Sequence, residues 1–187
     1  MKKRMMMILA SALMVVGLGA CDDFLNVENY EQEISTLTEN VNFKADKAIC
    51  KRFEDIYANY PKHTNYFFEL TGPKDEKGEQ EVMILDLMLP EIKVGLEGEY
   101  KVGYTGDYIA LSKFDVIDSA SGMMYTGGCC YGKAKNGYIS DYYGYLTEGR
   151  VLISSVDGNY YVTVEAKSEE HTVWVQYIGP LEIIEGK

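Results

Sequence analysis

The stretch that most restricts the fold is RVLISSVDGNYYVTVEAKSEEHTVWVQYIGP, Arg150 to Pro180. Three runs of alternating apolar and polar residues are separated by Asp157-Gly158 and then by the polar turn KSEEH. A period of two sends every second side chain to the same face of a strand, so each run buries one side. Asp-Gly between two such runs is a hairpin signal, because both central positions of a two-residue turn need positive φ. The C-terminal third is therefore expected to be antiparallel strands.

The same grammar extends upstream. NYFFEL alternates, and EVMILDLML is apolar on both faces except at Asp86, as a strand buried on both sides would be. GEYKVGY and DYIALSKF flank Thr105-Gly106-Asp107, and YISDYYGYL follows Asn136-Gly137. Of the 18 glycines, 12 lie between Gly95 and Gly158, where these turns crowd, and no long amphipathic helix interrupts them. Parallel α/β architectures need such helices and are excluded. The expected fold is an all-β, antiparallel β-sandwich of about ten strands over residues 45–187, with a lipocalin-like barrel as the alternative. Ala45 to Tyr60 is ambiguous, since its apolar residues fit a helical face while its aromatic content before Pro61 suits a strand.

The first twenty residues follow other rules. Lys2, Lys3 and Arg4 form a basic head, Ile8 to Ala20 is a run of apolar and small residues, and Gly19 and Ala20 are small. That is the three-part pattern of a secretory signal, and the run falls short of the roughly 20 apolar residues a membrane-spanning helix needs. Leu18, Gly19, Ala20 and Cys21 resemble the lipobox of bacterial lipoproteins. The resemblance implies a signal at 1–20, cleavage before Cys21, and diacylglycerol on its thiol with acylation of the new amine. Two or more acyl chains anchor stably, at about 0.8 kcal/mol per buried CH₂. CDDFLNVENYE is similar to the mature start of Bacteroidetes outer-membrane lipoproteins, among them glycan-binding partners of starch-uptake systems. In that group an acidic patch after the lipidated cysteine marks export to the cell surface; the alternative is the periplasmic face. Phe24 to about Lys44 is polar and acidic without a sustained period, which reads as a tether within 21–44.

A second resemblance covers roughly Ala48 to Ile184. Gly149, Val151, Ile153, Gly158, Tyr160 and Val162, followed by Tyr177, Gly179, Pro180 and Leu181, fill patterns similar to those of small Bacteroidetes lipoproteins with a β-sandwich domain and no assigned activity. Those relatives begin with a tyrosine-rich strand before the NYFFEL position, so the resemblance favours strand for 45–60. It implies a fold and no chemistry.

Charge narrows the partners. The chain carries −11, and loss of the three positive charges of Lys2, Lys3 and Arg4 leaves −14 on the mature part, which disfavours nucleic acid. With Cys21 taken by lipid, Cys50, Cys129 and Cys130 remain; one bridge from Cys50 to either of the adjacent pair stays open, and a bridge within the pair would be strained. There is no CxxC pair, and His63 and His171 alone do not make a zinc site, so no metal or cofactor is expected. The G-x-S-x-G, H-E-x-x-H, P-loop and G-x-G-x-x-G signatures are absent, and the chain is expected not to be an enzyme.

Candidate binding residues are aromatic. Nine of the 16 tyrosines lie between Tyr100 and Tyr145, Tyr142 and Tyr143 among them, against a single Trp. Rings with a polar tip suit a wet sugar-binding face, and they equally suit the half-exposed surface of a sheet. In HTVWVQYI the period of two opposes Trp174 to Val173 and Val175, so the indole shares a face with Thr172 and Gln176. Tyr161 takes the same face of the neighbouring strand, and the pair would line an aromatic strip unless that face is covered. Asp86, inside an apolar strand, needs a backbone donor, solvent at the sheet edge or a bound ligand. The expected function is a membrane-anchored surface module for glycan or another nutrient, the alternative an accessory subunit that binds a protein of an outer-membrane complex.

Overall fold

Fourteen strands and no helix make up the described part of the chain: β1 (Glu39–Ala45), β2 (Lys47–Glu54), β3 (His63–Thr71), β4 (Glu79–Pro90), β5 (Gly98–Val102), β6 (Ile109–Ala110), β7 (Phe114–Ile117), β8 (Met124–Gly127), β9 (Cys130–Lys135), β10 (Tyr138–Tyr145), β11 (Glu148–Val156), β12 (Asn159–Lys167), β13 (His171–Gly179) and β14 (Ile183–Glu185). The computed structural model describes residues 39–54, 57, 60–103, 106–117, 124–136 and 138–186, and of these not the side chains of 39, 114–117, 124–126 or 139–143. The signal at 1–20, Cys21 and the tether up to residue 38 lie outside the described residues.

The all-β class is as expected. The sheet is a strongly curled, mixed half-barrel and not a clear antiparallel sandwich. Its strand order is β1-β13-β12-β11-β5-β6-β4-β3-β2-β14, with β9 pairing to β4 and β10 to β9, while β7 and β8 form a separate pair. Three pairs are parallel: β1 with β13, β2 with β14, and β5 with β6. A parallel pair needs a long connection between its strands, and for β1–β13 and β2–β14 nearly the whole domain is that connection. Residues far apart in sequence carry no local sign of such pairing.

The curl has a visible cause. Only Asp46 separates β1 from β2, yet β1 lies at one end of the strand order and β2 beside the other end. β13 and β14 repeat the arrangement three residues apart, so the chain itself joins the two ends. The backbone N–H of Asp46 donates to the Thr71 carbonyl at 3.0 Å, which ties the bend to β3.

One boundary moves. Glu39 to Lys44, read from sequence as tether, is part of β1, and Phe43 is buried in the main core. Only Val41 and Phe43 alternate there with polar residues, too short a pattern to stand out. Lys47 to Glu54 is a strand, as the resemblance favoured.

Inside the curl, period-two faces converge: Phe68 and Leu70, Met83, Leu85 and Leu87, Val151, Val162, Val164, Val173 and Val175 are all buried. Each such side chain contributes about 1.5–3 kcal/mol when fully withdrawn from water. β4 is apolar on its second face because that face is covered as well. Met88 packs with Tyr57, Ile109 and Leu111, and Val82 and Ile84 pack with Cys130 and Ala134. Asp157 at φ 51° and Gly158 at φ 79° make the two-residue turn between β11 and β12, in the register the Asp-Gly signal requires. The Thr105-Gly106-Asp107 signal of the sequence does not give an antiparallel hairpin: β6 is two residues long and runs parallel to β5.

Candidate functional site

Trp174 sits on the outer face of β13, half-buried, opposite Glu165 of β12 and Asn42 of β1. Beside it the Arg150 guanidinium donates to Glu165 Oε2 through Nε at 2.9 Å and Nη2 at 2.8 Å. Tyr161 shares that face, but its cross-strand partner is Ile178, and the Thr163–Gln176 pair stands between. Four residues along a strand are about 13 Å, so the two rings do not adjoin as an aromatic strip. The backbone of Tyr142 pairs with Gly132; the side chains of Tyr142 and Tyr143 lie outside the description.

The strand carrying those tyrosines ends at a cleft. A cavity of about 260 Å³ is lined by Lys113, Gly144, Tyr145, Thr147, Ser168, Glu169 and Glu170, where the end of β10 meets the turn from β12 to β13. A backbone bond joins the two walls, Thr147 N–H donating to Lys167 O at 2.8 Å, while Ser168 N–H closes the turn on His171 O at 2.9 Å. Within the turn, Ser168 Oγ accepts from the N–H groups of Glu170 at 3.3 Å and His171 at 3.0 Å. This local side-chain bond is why a serine opens the turn.

Beneath the cleft, the Tyr131 hydroxyl lies 2.8 Å from Ser168 Oγ and 2.6 Å from His171 Nδ1. Burial raises its pKa, with the Ser168 hydrogen bond acting the other way. A Cβ on Gly144 would stand 3.8 Å from that hydroxyl and 3.9 Å from Ser168 Cβ, so the glycine keeps the floor open. On the wall, the Lys113 ammonium lies 5.7 Å from the Tyr145 ring centroid, within cation–π range. Ser168 is not arranged as a nucleophile: its lone pairs take backbone donors, and the imidazole contacts Tyr131 instead.

Asp86 is a different kind of site. Its side chain is 1 % exposed; Oδ1 accepts from Asn65 Nδ2 at 2.6 Å, and Oδ2 from the Tyr57 hydroxyl at 3.1 Å and Gly128 N–H at 3.2 Å. Burial pushes the carboxyl pKa above its usual range, against the pull of these three donors. The backbone donor expected from sequence is the Gly128 N–H, and two side chains, Asn65 and Tyr57, donate beside it. The carboxylate pins residues from three segments onto the outer face of β4.

Cys50, Cys129 and Cys130 are buried and none is in a disulfide, so the bridge left open from Cys50 is not formed. Cys130 packs in a cluster on the far face of β4 from Cys50, and Cys129 instead accepts from the backbone N–H of Asp86 at 3.3 Å. His63 contacts the Pro61 carbonyl and the Tyr60 ring, and His171 the Tyr131 hydroxyl. Among the described residues no group of three His, Cys, Asp or Glu side chains is placed to hold a metal, and every buried side-chain nitrogen or oxygen has a partner.

In the sequence KSEEH is a polar turn, Tyr131 and Tyr145 are only members of the tyrosine-rich stretch, and nothing singles out Lys113. The cleft is assembled from three separate segments, Lys113, Gly144 to Thr147 and Ser168 to Glu170, and no local spacing announces it. Comparison with protein-family models, with curated proteins and with solved structures finds no match.

Proposed function

We propose that this chain is a lipid-anchored, non-catalytic cell-envelope module that binds a glycan or another nutrient-derived ligand in the cleft beside Tyr145. The observation that carries the reading is the composition of that cleft. One aromatic ring, hydroxyl groups and charged side chains surround a space close to the lower end of small-ligand sites, which run from about 300 Å³. An aromatic face takes the apolar side of a pyranose while polar groups around it bond the hydroxyls. The anchor is Cys21, on the lipobox resemblance, with the outer membrane and its outer surface as the location. The half-barrel is read as closer to a lipocalin-like barrel than to a sandwich, supported by the chain continuity from β1 to β2 and from β13 to β14.

The test is affinity electrophoresis of the full chain, extracted from membranes in detergent, through gels containing a panel of polysaccharides. Retardation by one polysaccharide that disappears in Tyr145→Ala, with the circular dichroism spectrum unchanged, supports the reading; no retardation, or retardation indifferent to Tyr145, overturns it.

A second reading is supported by one feature. Tyr161 and Ile178 are cross-strand neighbours, 37 % and 54 % exposed, and form a flat pair of the kind that binds another protein. Crosslinking in intact cells that is lost in the double variant Tyr161→Ser, Ile178→Ser while polysaccharide retardation persists would assign this face to an accessory-subunit role.

A further inference from the structure

The chemistry of the cleft walls points further than a generic polar ligand. Thr147 Oγ1 donates its proton to Lys167 O at 3.2 Å and so turns lone pairs outward. Glu169 and Glu170, when ionised, are acceptors only, and neither forms an ion pair with a described residue. Beside the hydroxyls of Tyr145 and Ser168, which both donate and accept, the one cationic side chain among the described residues lining this space is Lys113, and its ammonium lies over the ring of Tyr145. Two carboxylates therefore face one cation, in a chain of net charge −11. Such a wall calls for a ligand rich in N–H donors and positive in charge, and it opposes an anionic one.

From this arrangement we propose that the ligand of the cleft carries a primary ammonium group, which takes the face of Tyr145 in competition with the Lys113 side chain. An amino sugar meets the description: its ring offers an apolar face to Tyr145, and its ammonium offers three donors to Glu169, Glu170 and Thr147. Lys113 shows that this ring face accepts an ammonium, and its tether to the chain makes it a built-in competitor. The inference rests on the cleft reading above and deepens it by naming the charge of the ligand.

Two matched pairs of probes separate the inference from the reading it rests on. β-1,4-Linked glucosamine tetramer and cellotetraose share ring and linkage and differ at C2, where one has an ammonium and the other a hydroxyl. Cyclohexylammonium and cyclohexanol form the same contrast without a glycan. Each is titrated by NMR into the full chain in detergent, at a weakly acidic pH that keeps the amines protonated. The ammonium member of each pair is expected to bind about three- to tenfold tighter, from one cation–π contact and one or two exposed carboxylate contacts. Lys113→Met should tighten the ammonium probes by a further two- to fivefold or so and leave the neutral ones unchanged. The double variant Glu169→Gln, Glu170→Gln should reduce the preference to the part that the Tyr145 ring supplies, and a preference undiminished in it overturns the role given to the two carboxylates. Equal affinity within both pairs, in the native chain and in Lys113→Met, overturns the ammonium inference. If cellotetraose still binds in that case and Tyr145→Ala abolishes it, the glycan reading survives alone. Preference for cyclohexylammonium with no binding of either tetramer sustains the inference and overturns the glycan. Failure of all four probes to bind overturns the inference.

Discussion

Asn65 Nδ2 and Asp86 Oδ1 are 2.6 Å apart on the covered outer face of the sheet, reaching diagonally between β3 and β4. With Tyr57 and Gly128 on the other oxygen, the carboxylate has three donors and almost no solvent. Asp86→Ala removes the acceptor that all three donors share, leaving Asn65 its 3.2 Å bond to Leu87 O, and is expected to lower stability by about 3–5 kcal/mol. Asp86→Asn keeps an acceptor for Asn65 but turns an amide donor toward the Gly128 N–H, at about 1–3 kcal/mol. Urea unfolding with an unchanged m-value measures both. A loss under about 0.5 kcal/mol in Asp86→Ala would show that the network does not hold the segments it joins.

The same group makes a pH prediction. Its folded pKa is raised above the unfolded value, so the native state holds the proton more tightly. The stabilisation this gives is complete below the unfolded pKa and is lost as pH rises through the folded one. The stability of the native chain relative to Asp86→Asn should therefore be greatest in acid, fall as pH rises from the ordinary carboxylate value through the raised folded one, and level off above it. Unfolding midpoints of both proteins across that range check it, and a difference that grows with pH contradicts it.

Gly149 lies in β11 at φ +122°, and a Cβ there would meet Glu165 O at 2.3 Å and Ala166 Cα at 2.4 Å. Those atoms belong to the adjoining strand and cannot swing away. Gly149→Ala should destabilise by about 2–4 kcal/mol, whereas Gly158→Asn, in the open Asp157-Gly158 turn, should cost less than about 1 kcal/mol. Thermal unfolding of the two variants side by side is the comparison.

Why some of this was legible and some not follows from distance along the chain. The Asp157-Gly158 hairpin, the doubly buried β4 and the strand placing Trp174 outside Val173 and Val175 each rest on neighbours within a few residues, where period and turn chemistry act. The parallel pairs of β1 with β13 and β2 with β14 join segments about 130 residues apart, and β1 itself offers only Val41, Phe43 and the small Ala45. Asp86 was visible as a costly charge, but its partners Asn65, Tyr57 and Gly128 were not, because three loops and strands converge on it only in the fold. The cleft was hidden for the same reason: Glu169-Glu170 looks like any solvated turn until Lys113 and Tyr145 stand opposite.

Cysteine chemistry gives a further check. Burial pushes the Cys50 thiol pKa up to about 12 and raises that of Cys129 as well, and all three described cysteines are enclosed. The thiolate is the reactive form, so the three described cysteines should take up almost no aromatic disulfide reagent in native protein and three equivalents in urea, with a fourth from Cys21 if that thiol carries no lipid. A reductant should leave the melting temperature unchanged. Loss of stability on reduction would mean that a bridge exists after all.

The single Trp gives a direct reading of the outer face. Trp174 is half-buried between Glu165 and Asn42, so its emission should be intermediate and its quenching by acrylamide partial. If ligands bind at Tyr145, Trp174→Phe should retain polysaccharide retardation that Tyr145→Ala loses. Strong protection of Trp174 from acrylamide by a polysaccharide, together with loss of retardation in Trp174→Phe, would move the site to the face that holds Trp174 and Tyr161.

The anchor is tested at one atom. If Cys21 carries the lipid, its thioether and acylated amine hold the chain to a membrane with an affinity that two or more acyl chains make nearly irreversible. Cys21→Ala removes the sulfur that the diacylglycerol transfer requires. It should prevent incorporation of labelled palmitate and move the protein from the detergent phase to the aqueous phase on Triton X-114 partition. The described domain starts at residue 39 and contains no part of this motif, so its unfolding curve should not change. Palmitate incorporation that persists in Cys21→Ala would place the lipid elsewhere, and detergent partition that persists without it would require another membrane contact.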